Sequence, residues 1–155
     1  MNSSIENSLS LPCDVDHLVP QRLPMLIVQR LHERMGDRAL VEAEVPAEGI
    51  WVSPGQGLLP EFYVEVIAQA MAAVNGFDAI RDGHAPRDGF LVGVDGFNWQ
   101  RTAVPGERLF IEIEKTFEFG AVNIIHGLVR NDKEEIAAGE IKVWQGEIPG
   151  ETDGK

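Results

Sequence analysis

The 155-residue chain has little cysteine and no long apolar run. Cys13 is its single cysteine, which excludes an internal disulfide and any metal cluster built on several thiolates. No apolar run approaches the roughly 20 residues that span a bilayer. The first residues, MNSSIENSLSLPC, lack the basic start and apolar stretch of a secretory signal. We therefore expect a cytoplasmic protein without a membrane segment.

Basic residues are also scarce, since 13 Lys and Arg stand against 25 Asp and Glu, a net charge of −12. Nucleic-acid binding needs concentrated basic side chains, so this balance argues against it and against an anionic membrane surface. The four histidines do not have the spacing of a zinc motif. No phosphate-binding glycine loop, dinucleotide fingerprint or nucleophile elbow is present. We therefore expect neither a metal nor a cofactor.

What the chain does contain is the pattern of one α+β domain. With 44% hydrophobic residues it can bury a core. We expect a flexible leader over 1–12, one domain over 13–148 and a flexible tail over 149–155. Alternating or continuous apolar patterns predict strands over 25–35, 38–45, 89–101, 108–119, 121–129 and 135–145.

Two helices and a long loop complete the prediction. A short helix is expected over 14–19, a Pro- and Gly-rich loop over 46–59, and a long, almost wholly apolar helix over 60–80. The order β-β-α-β-β-β-β has no repeated βαβ unit. It favours a strongly bent antiparallel sheet with the long helix on its concave face.

One stripe of the long helix carries polar groups. Glu65 and Gln69 are four residues apart and share this stripe with Glu61 and Ala72. The stripe is either a solvent-facing surface or one wall of a pocket between helix and sheet. In a pocket, desolvation would raise the pKa of Glu65 and keep it protonated, ready to donate a proton to a leaving group. Gln69 would then orient the carboxyl group.

Positive charge is dense only over 22–38, at Arg22, Arg30, Arg34 and Arg38. This group is either a solvated face or a docking surface for an acidic partner on an otherwise repellent protein.

Three segments, in order, resemble the 3-hydroxyacyl-[acyl carrier protein] dehydratases. HLVPQRLPMLIVQR at 17–30 is similar to the family's L-P-H-R-x-P-F-L-L-V-D-R, and EVIAQA at 65–70 is similar to E-A-M-A-Q-A of its central helix. FLVGVDGFNWQRTAVPGE at 90–107 is similar to F-x-G-I-D-x-x-x-F-x-x-P-V-x-P-G-D. The chain also looks like the divergent dehydratase-like proteins of aryl polyene pigment clusters.

The resemblance implies a hotdog fold, a homodimer and a tunnel for an acyl chain carried on acyl carrier protein or coenzyme A. In the family, a histidine abstracts the C2 proton of the 3-hydroxyacyl thioester, and a helix carboxylic acid from the other subunit protonates the departing hydroxyl. Glu65 matches the position of that acid. Gly93 and Val94, in the third segment, are expected to contact the substrate.

The chain differs from the family at the positions of the catalytic base and of the groups that bind the thioester. The loop with the family's histidine is absent, and an ungapped count places Trp51 there, where an indole cannot act as a base. Gln21 replaces the histidine of the leading segment and could hydrogen-bond the substrate. Pro60 replaces a glycine whose amide polarises the thioester, so the free amides of Glu61 and Phe62 are the expected substitutes.

Three functions remain open from the sequence, and we favour a dehydratase because Glu65 and its helix match the family best. In a dehydratase, His17 takes the role of the missing base, with His32 as the less favoured choice. In a hotdog thioesterase, Glu65 directs water at the acyl carbonyl. In a non-catalytic acyl-binding or partner subunit, no base is needed. Carrier docking, in each case, is expected at the arginines near the tunnel mouth, Arg22, Arg30 or Arg34.

Overall fold

A computed structural model describes residues 10–85 and 89–145. Within these residues there is one helix, α1, which spans Glu61–Asp82. The strands are β1 Cys13–Asp14, β2 Val28–Met35, β3 Arg38–Glu44, β4 Val52–Ser53, β5 Gly57–Leu58, β6 Gly89–Trp99, β7 Arg108–Phe119, β8 Val122–Arg130 and β9 Glu135–Gln145. The six predicted strands and the long helix are therefore present, and the fold class is confirmed as α+β.

Seven strands form one antiparallel sheet in the order β1-β2-β3-β7-β8-β9-β6. Alternation in the sequence explains which face is buried. Along β7, Leu109, Ile111 and Ile113 are buried, whereas Glu112 between them is exposed. The buried face of the sheet is covered by α1, which contacts β2, β3 and β6–β9. This wrapped helix is the hotdog arrangement.

The helix is closely packed because it is apolar on most sides. Phe62, Tyr63, Val66 and Ile67 are almost wholly buried. Close approach to the sheet depends on Gly127 of β8, where an added Cβ would lie 2.5 Å from the Cδ1 atom of Ile67. A larger side chain at position 127 would therefore push the helix away from the middle of the sheet.

The short helix predicted over 14–19 is wrong. Cys13 and Asp14 form β1 instead, and Val15 extends the pairing by donating its amide hydrogen to the carbonyl of Gln29, at 3.0 Å. One turn follows, closed by a hydrogen bond from the amide of Leu18 to the carbonyl of Val15. Pairing with a distant strand therefore overrides the local helix signal.

Two further segments differ in part from the prediction. The loop over 46–59 contains the two-residue strands β4 and β5, paired with each other. The helix begins at Glu61, with Pro60 immediately before it at φ −59°. The predicted tail lies outside the described residues, as does the leader except for residues 10–12.

Strand β6 is an edge strand with an unusually apolar exposed surface. Among the described residues it pairs with β9 and with no other strand. Its exposed large side chains are Phe90, Leu91, Val92, Val94 and Trp99. An unpaired apolar edge is the kind of surface that another chain covers. In the part of the chain described, no helix combines the length and the hydropathy needed to cross a bilayer.

Candidate active site

A groove of about 480 Å³ runs along α1, and we call it the acyl groove. One wall is the face of α1 that carries Glu65 and Ala72 of the predicted stripe, and a second is the turn that follows β1. The third consists of residues from β6 and β9. The lining residues are His17, Leu18, Val19, Pro20, Gln21, Glu65, Ala68, Met71, Ala72, Asn75, Gly89, Leu91 and Val143.

The turn lies against the helix because the helix contains a glycine at the contact. A Cβ at Gly76 would lie 1.9 Å from the carbonyl oxygen of Leu18. Glycine inside a helix costs about 1 kcal/mol relative to alanine, so its presence here has a packing reason. Gly76 allows the backbone of residues 17–21 to form a wall of the groove.

Glu65 is half-buried and is held by Gln69, which is fully buried. The Nε2 atom of Gln69 donates to Oε2 of Glu65 at 2.8 Å and to the carbonyl of Met25 at 2.8 Å. The Oε1 atom of Gln69 accepts the amide hydrogen of Ile27 at 2.9 Å. These backbone partners determine which end of the amide faces Glu65. The carboxyl group therefore receives a donor on Oε2, and Oε1 has no hydrogen bond from the described residues.

This arrangement rules out the interpretation of the stripe as a solvent-facing surface. Glu61 is exposed at the start of the helix, but Gln69, two turns later, has no exposed surface. Along the stripe, side chains change from exposed at Glu61 to buried at Gln69. The carboxyl group of Glu65 lies between the two and faces the groove.

Two polar residues of the turn face the same groove. His17 is exposed and lines it together with Glu65. Gln21 is partly buried, and its Oε1 atom is buried without a hydrogen-bond partner among the described residues. An unpaired buried carbonyl is costly, so Gln21 is suited to accept a hydrogen bond from a bound molecule.

Several residues predicted to contact the substrate do not line the groove. The ring of Trp51 packs edge-on against that of Phe62, with centroids 6.5 Å apart, and the indole Nε1 is buried without a partner among the described residues. The amide of Phe62 is not free, because it donates to the carbonyl of Leu59 at 3.0 Å. Glu61 lies before the groove begins. The Phe62 amide is therefore already hydrogen-bonded at the start of the helix and is not available to a substrate.

Strand β6 reaches the groove through other residues than those expected from the third sequence segment. Gly89 and Leu91 line it, whereas Gly93 and Val94 do not. An added Cβ at Gly93 would contact the side chain of Lys142, and Val94 is exposed on the edge strand. A register shift between Leu91 and Gly93 separates the two pairs.

The alternative base and the arginines are placed by their own ion pairs. His32 lies outside the groove, with Nε2 2.6 Å from Oε1 of Glu42. Arg34 forms two hydrogen bonds with Asp78, at 3.0 and 2.8 Å, and its side chain is only 16% exposed. This geometry does not support His32 as the base or Arg34 as a docking residue.

The two remaining arginines are exposed. Arg22 follows Gln21 directly and donates Nη1 to the carbonyls of Val19 and Gln21, at 2.7 and 2.8 Å. Arg30 lies 3.7 Å from Asp14 on β1. Arg22 is thus beside the groove, and Arg30 is next to the start of the turn.

The sequence indicated Glu65, Gln69, His17 and Gln21, but it missed Asn75 and Gly76. The signal for Gly76 was available, since glycine is out of place in an apolar helix interior. Asn75 had a weaker signal, as a polar residue three positions after Ala72 on the same stripe. Within residues 10–85 and 89–145, no group of His, Cys, Asp or Glu is placed to hold a metal ion.

Comparisons with known proteins show the family to which the chain belongs. Residues 13–152 match the family model ApeP-like, described as ApeP dehydratase. The 3-hydroxyacyl-[acyl-carrier-protein] dehydratase FabZ of Anaeromyxobacter dehalogenans is 31% identical over 135 residues, covering 81% of this chain and 84% of that protein. FabZ of Myxococcus xanthus is 30% identical over 132 residues, covering 82% and 86%.

Solved structures show the same fold. The dehydratase heterocomplex ApeI:P from Xenorhabdus doucetiae contains a chain that superposes with a TM-score of 0.76 at 21% identity, covering 89% of this chain and 93% of that one. A Streptococcus mutans protein bound to acetyl CoA has a TM-score of 0.63 at 14% identity, covering 84% and 97%. By sequence and by fold, this chain belongs to the ApeP-like family of hotdog dehydratases.

Proposed function

We propose that the protein dehydrates a 3-hydroxyacyl thioester, carried on acyl carrier protein, to a trans-2-enoyl thioester. The observation that carries the proposal is the geometry of Glu65, which faces the acyl groove while Gln69 donates to its Oε2 atom. With a donor on Oε2, the acidic hydrogen of a protonated carboxyl belongs on Oε1, the oxygen that is free to reach a substrate hydroxyl.

The reaction needs one acid and one base. The base removes the proton from C2, the C3–O bond breaks, and the hydroxyl takes the proton of Glu65 and leaves as water. His17 is the base we propose, because it lines the same groove as Glu65. Gln21, with its unpaired carbonyl oxygen, is placed to accept a hydrogen bond from the substrate during this step.

The test is mass spectrometry of a 3-hydroxyacyl carrier protein after incubation with the protein. We expect loss of one water. Glu65→Gln should lower the rate by about 10²–10⁴-fold, and Glu48→Gln, on an exposed loop, should not. Loss of the acyl group would indicate a thioesterase instead, and an unchanged substrate would indicate an acyl-binding subunit. Full turnover by His17→Ala would exclude His17 as the base.

The same proposal includes a second hotdog chain on the β6 edge. Its apolar side chains are exposed in the single chain, and Leu91 among them lines the groove, so a covering chain would also close the site. We propose a homodimer paired along β6. Val92 is 59% exposed, so Val92→Lys should reduce the mass measured by light scattering to that of one chain. A chain that is monomeric and active only with a different hotdog protein would instead indicate a heterocomplex.

Carrier docking is proposed at Arg22, with Arg30 as a second contact. Both are exposed, and Arg22 is next to the groove wall at Gln21. On a chain of net charge −12, local positive charge is required to approach an acidic carrier. Arg22→Glu should raise KM for the carrier-bound substrate more than for the coenzyme A thioester. We also propose a cytoplasmic location, because the protein would encounter both thioesters there.

A further inference from the structure

A second, smaller pocket lies beyond the acyl groove, at the end of α1 away from Glu65. We call it the distal pocket. Its volume is about 220 Å³, and its lining is mainly polar: Asn75, Asp78, Ala79, His84, Glu118, Gly120, Asn123 and Gln145. None of these residues except Asn75 belongs to the acyl groove.

The distal pocket adjoins the acyl groove along both the helix and the sheet. On the helix, Asn75 lines both cavities, about 15 Å along the axis from Glu65. On the sheet, Leu91 pairs with Val143, and Val143 pairs with Asn123, so these three residues form one row across β6, β9 and β8. Directly paired residues project from the same face of a sheet. Asn123 is therefore the next side chain beyond the groove wall.

Asn123 carries an unsatisfied hydrogen-bond acceptor. The residue is 7% exposed, and its Nδ2 atom donates to Oε1 of Gln145 at 3.3 Å. Its Oδ1 atom is buried and has no hydrogen-bond partner among the described residues. A buried carbonyl oxygen left unpaired costs about 1–3 kcal/mol. Such an atom in the wall of a pocket is suited to a ligand that donates a hydrogen bond.

The charges around the pocket favour a neutral donor over a cation. Asp78 is paired with Arg34 at 2.8 Å and with Arg81 at 3.5 Å. Glu118 is paired with Lys115 at 3.3 Å. Because both carboxylates already have basic partners, the pocket has no uncompensated negative charge that would require a positive ligand. Among the described residues that line the pocket, Asn123 has an amide oxygen that is buried without a hydrogen-bond partner.

We propose that the distal pocket receives the far end of the acyl chain and selects chains that end in a neutral hydrogen-bond donor, such as a hydroxyl group. The inference rests on the proposed function, because it treats the acyl groove as the path of the chain from Glu65. The apolar stretch of the groove at Ala68 and Ala72 takes the body of the chain, and Asn123 accepts the hydrogen bond from its end.

The experiment compares 3-hydroxyacyl pantetheine thioesters of several lengths, each made with three ends: methyl, hydroxyl and methoxy. A hydroxyl donates a hydrogen bond, whereas a methoxy group only accepts one. At the length that spans the groove, we expect kcat/KM for the hydroxyl end to exceed that for the other two by about fivefold, as for one net hydrogen bond. Binding of the matching non-reactive thioethers, measured by calorimetry, should show the same order.

A matched pair of variants assigns the preference to one atom. Asn123→Thr keeps an oxygen that can accept a hydrogen bond, and Asn123→Val has the same shape without it. Both side chains are suited to a strand, so circular dichroism should show two folded proteins. We expect the preference for the hydroxyl end to persist in part in Asn123→Thr and to be lost in Asn123→Val.

The outcomes separate this inference from the proposed function. Dehydration of all three ends with equal kcat/KM at every length would overturn the distal selection and leave the dehydratase intact. Preferential binding of the hydroxyl thioether without turnover would support the distal pocket and overturn the catalytic proposal. A preference as large in Asn123→Val as in the parent protein would show that Asn123 is not the acceptor.

Discussion

Replacing Gln69 by leucine tests the hydrogen bonds that hold Glu65 in place. The side chain of Gln69 is fully buried and makes three hydrogen bonds, to the amide of Ile27, the carbonyl of Met25 and Oε2 of Glu65. Leucine has similar size and makes none of them. The amide of Ile27 is buried, and leaving it unpaired costs about 1–3 kcal/mol. The carbonyl of Met25 is closer to solvent, so its loss adds less.

The free energy of unfolding should therefore fall by about 3 kcal/mol in Gln69→Leu. Urea unfolding measures this as a lower midpoint with an unchanged m value. For a chain of this length, the same change lowers Tm by about 6–12 °C. The control is Gln29→Leu, the same substitution at an exposed position of β2, which should stay within about 0.5 kcal/mol of the parent.

Activity gives a second measurement on the same protein. Without Gln69, Glu65 loses the donor that orients its carboxyl group, so kcat should fall more than KM rises. The double variant Glu65→Gln/Gln69→Leu should then have the same kcat as Glu65→Gln alone, because the two residues act as a unit. If Gln69→Leu is as stable as the parent, or if the two losses of kcat multiply, the reasoning about this hydrogen-bond set is wrong.

Two further predictions concern the groove wall and acid stability. Gly76→Ala should destabilise the fold by about 1–2 kcal/mol, because the new Cβ meets the carbonyl of Leu18, whereas helix propensity alone predicts stabilisation of about 1 kcal/mol; thermal unfolding distinguishes the signs. A hydrogen bond from Arg101 lowers the pKa of Glu107 from 4.5 to about 2, and its side chain is only 12% exposed. This pair contributes up to about 3 kcal/mol above pH 5 and loses it as the pH falls towards 2. The unfolding free energy of Glu107→Gln should therefore fall less steeply over this range, and an equal slope in both proteins would contradict the assignment.

The sequence was informative where local pattern decides the structure. Alternation along β7 and β9 reproduces their observed bounds, since one face of each strand is buried against the helix. The apolar run after Pro60 identifies α1 within two residues at its C-terminal end. The polar stripe through Glu65 was visible, but its environment was not, because the covering wall comes from residues 17–21, more than 40 positions earlier in the chain.

Contacts between distant parts of the chain explain where the structure does not support the expected site. Arg34 was expected at a docking surface, but it pairs with Asp78, 44 residues later. Trp51 was counted into the catalytic position from spacing alone, whereas it packs on Phe62 beside the core. Spacing gives the position along a segment, and it does not give the direction of a side chain once a loop such as 46–59 forms its own small hairpin.

The helix face that lines the groove is polar at its ends and has two alanines in its middle, beside Met71. Glu65 and Asn75 mark the ends, and Ala68 and Ala72 lie between them with nothing beyond Cβ. Long side chains at those two positions would fill the space between helix and turn, as the rest of the helix does against the sheet. The same residues that lower the packing density here therefore create the path for a chain. The helix thus buries its apolar sides against the sheet and keeps one narrow face, with Glu65 at its end, open to the groove.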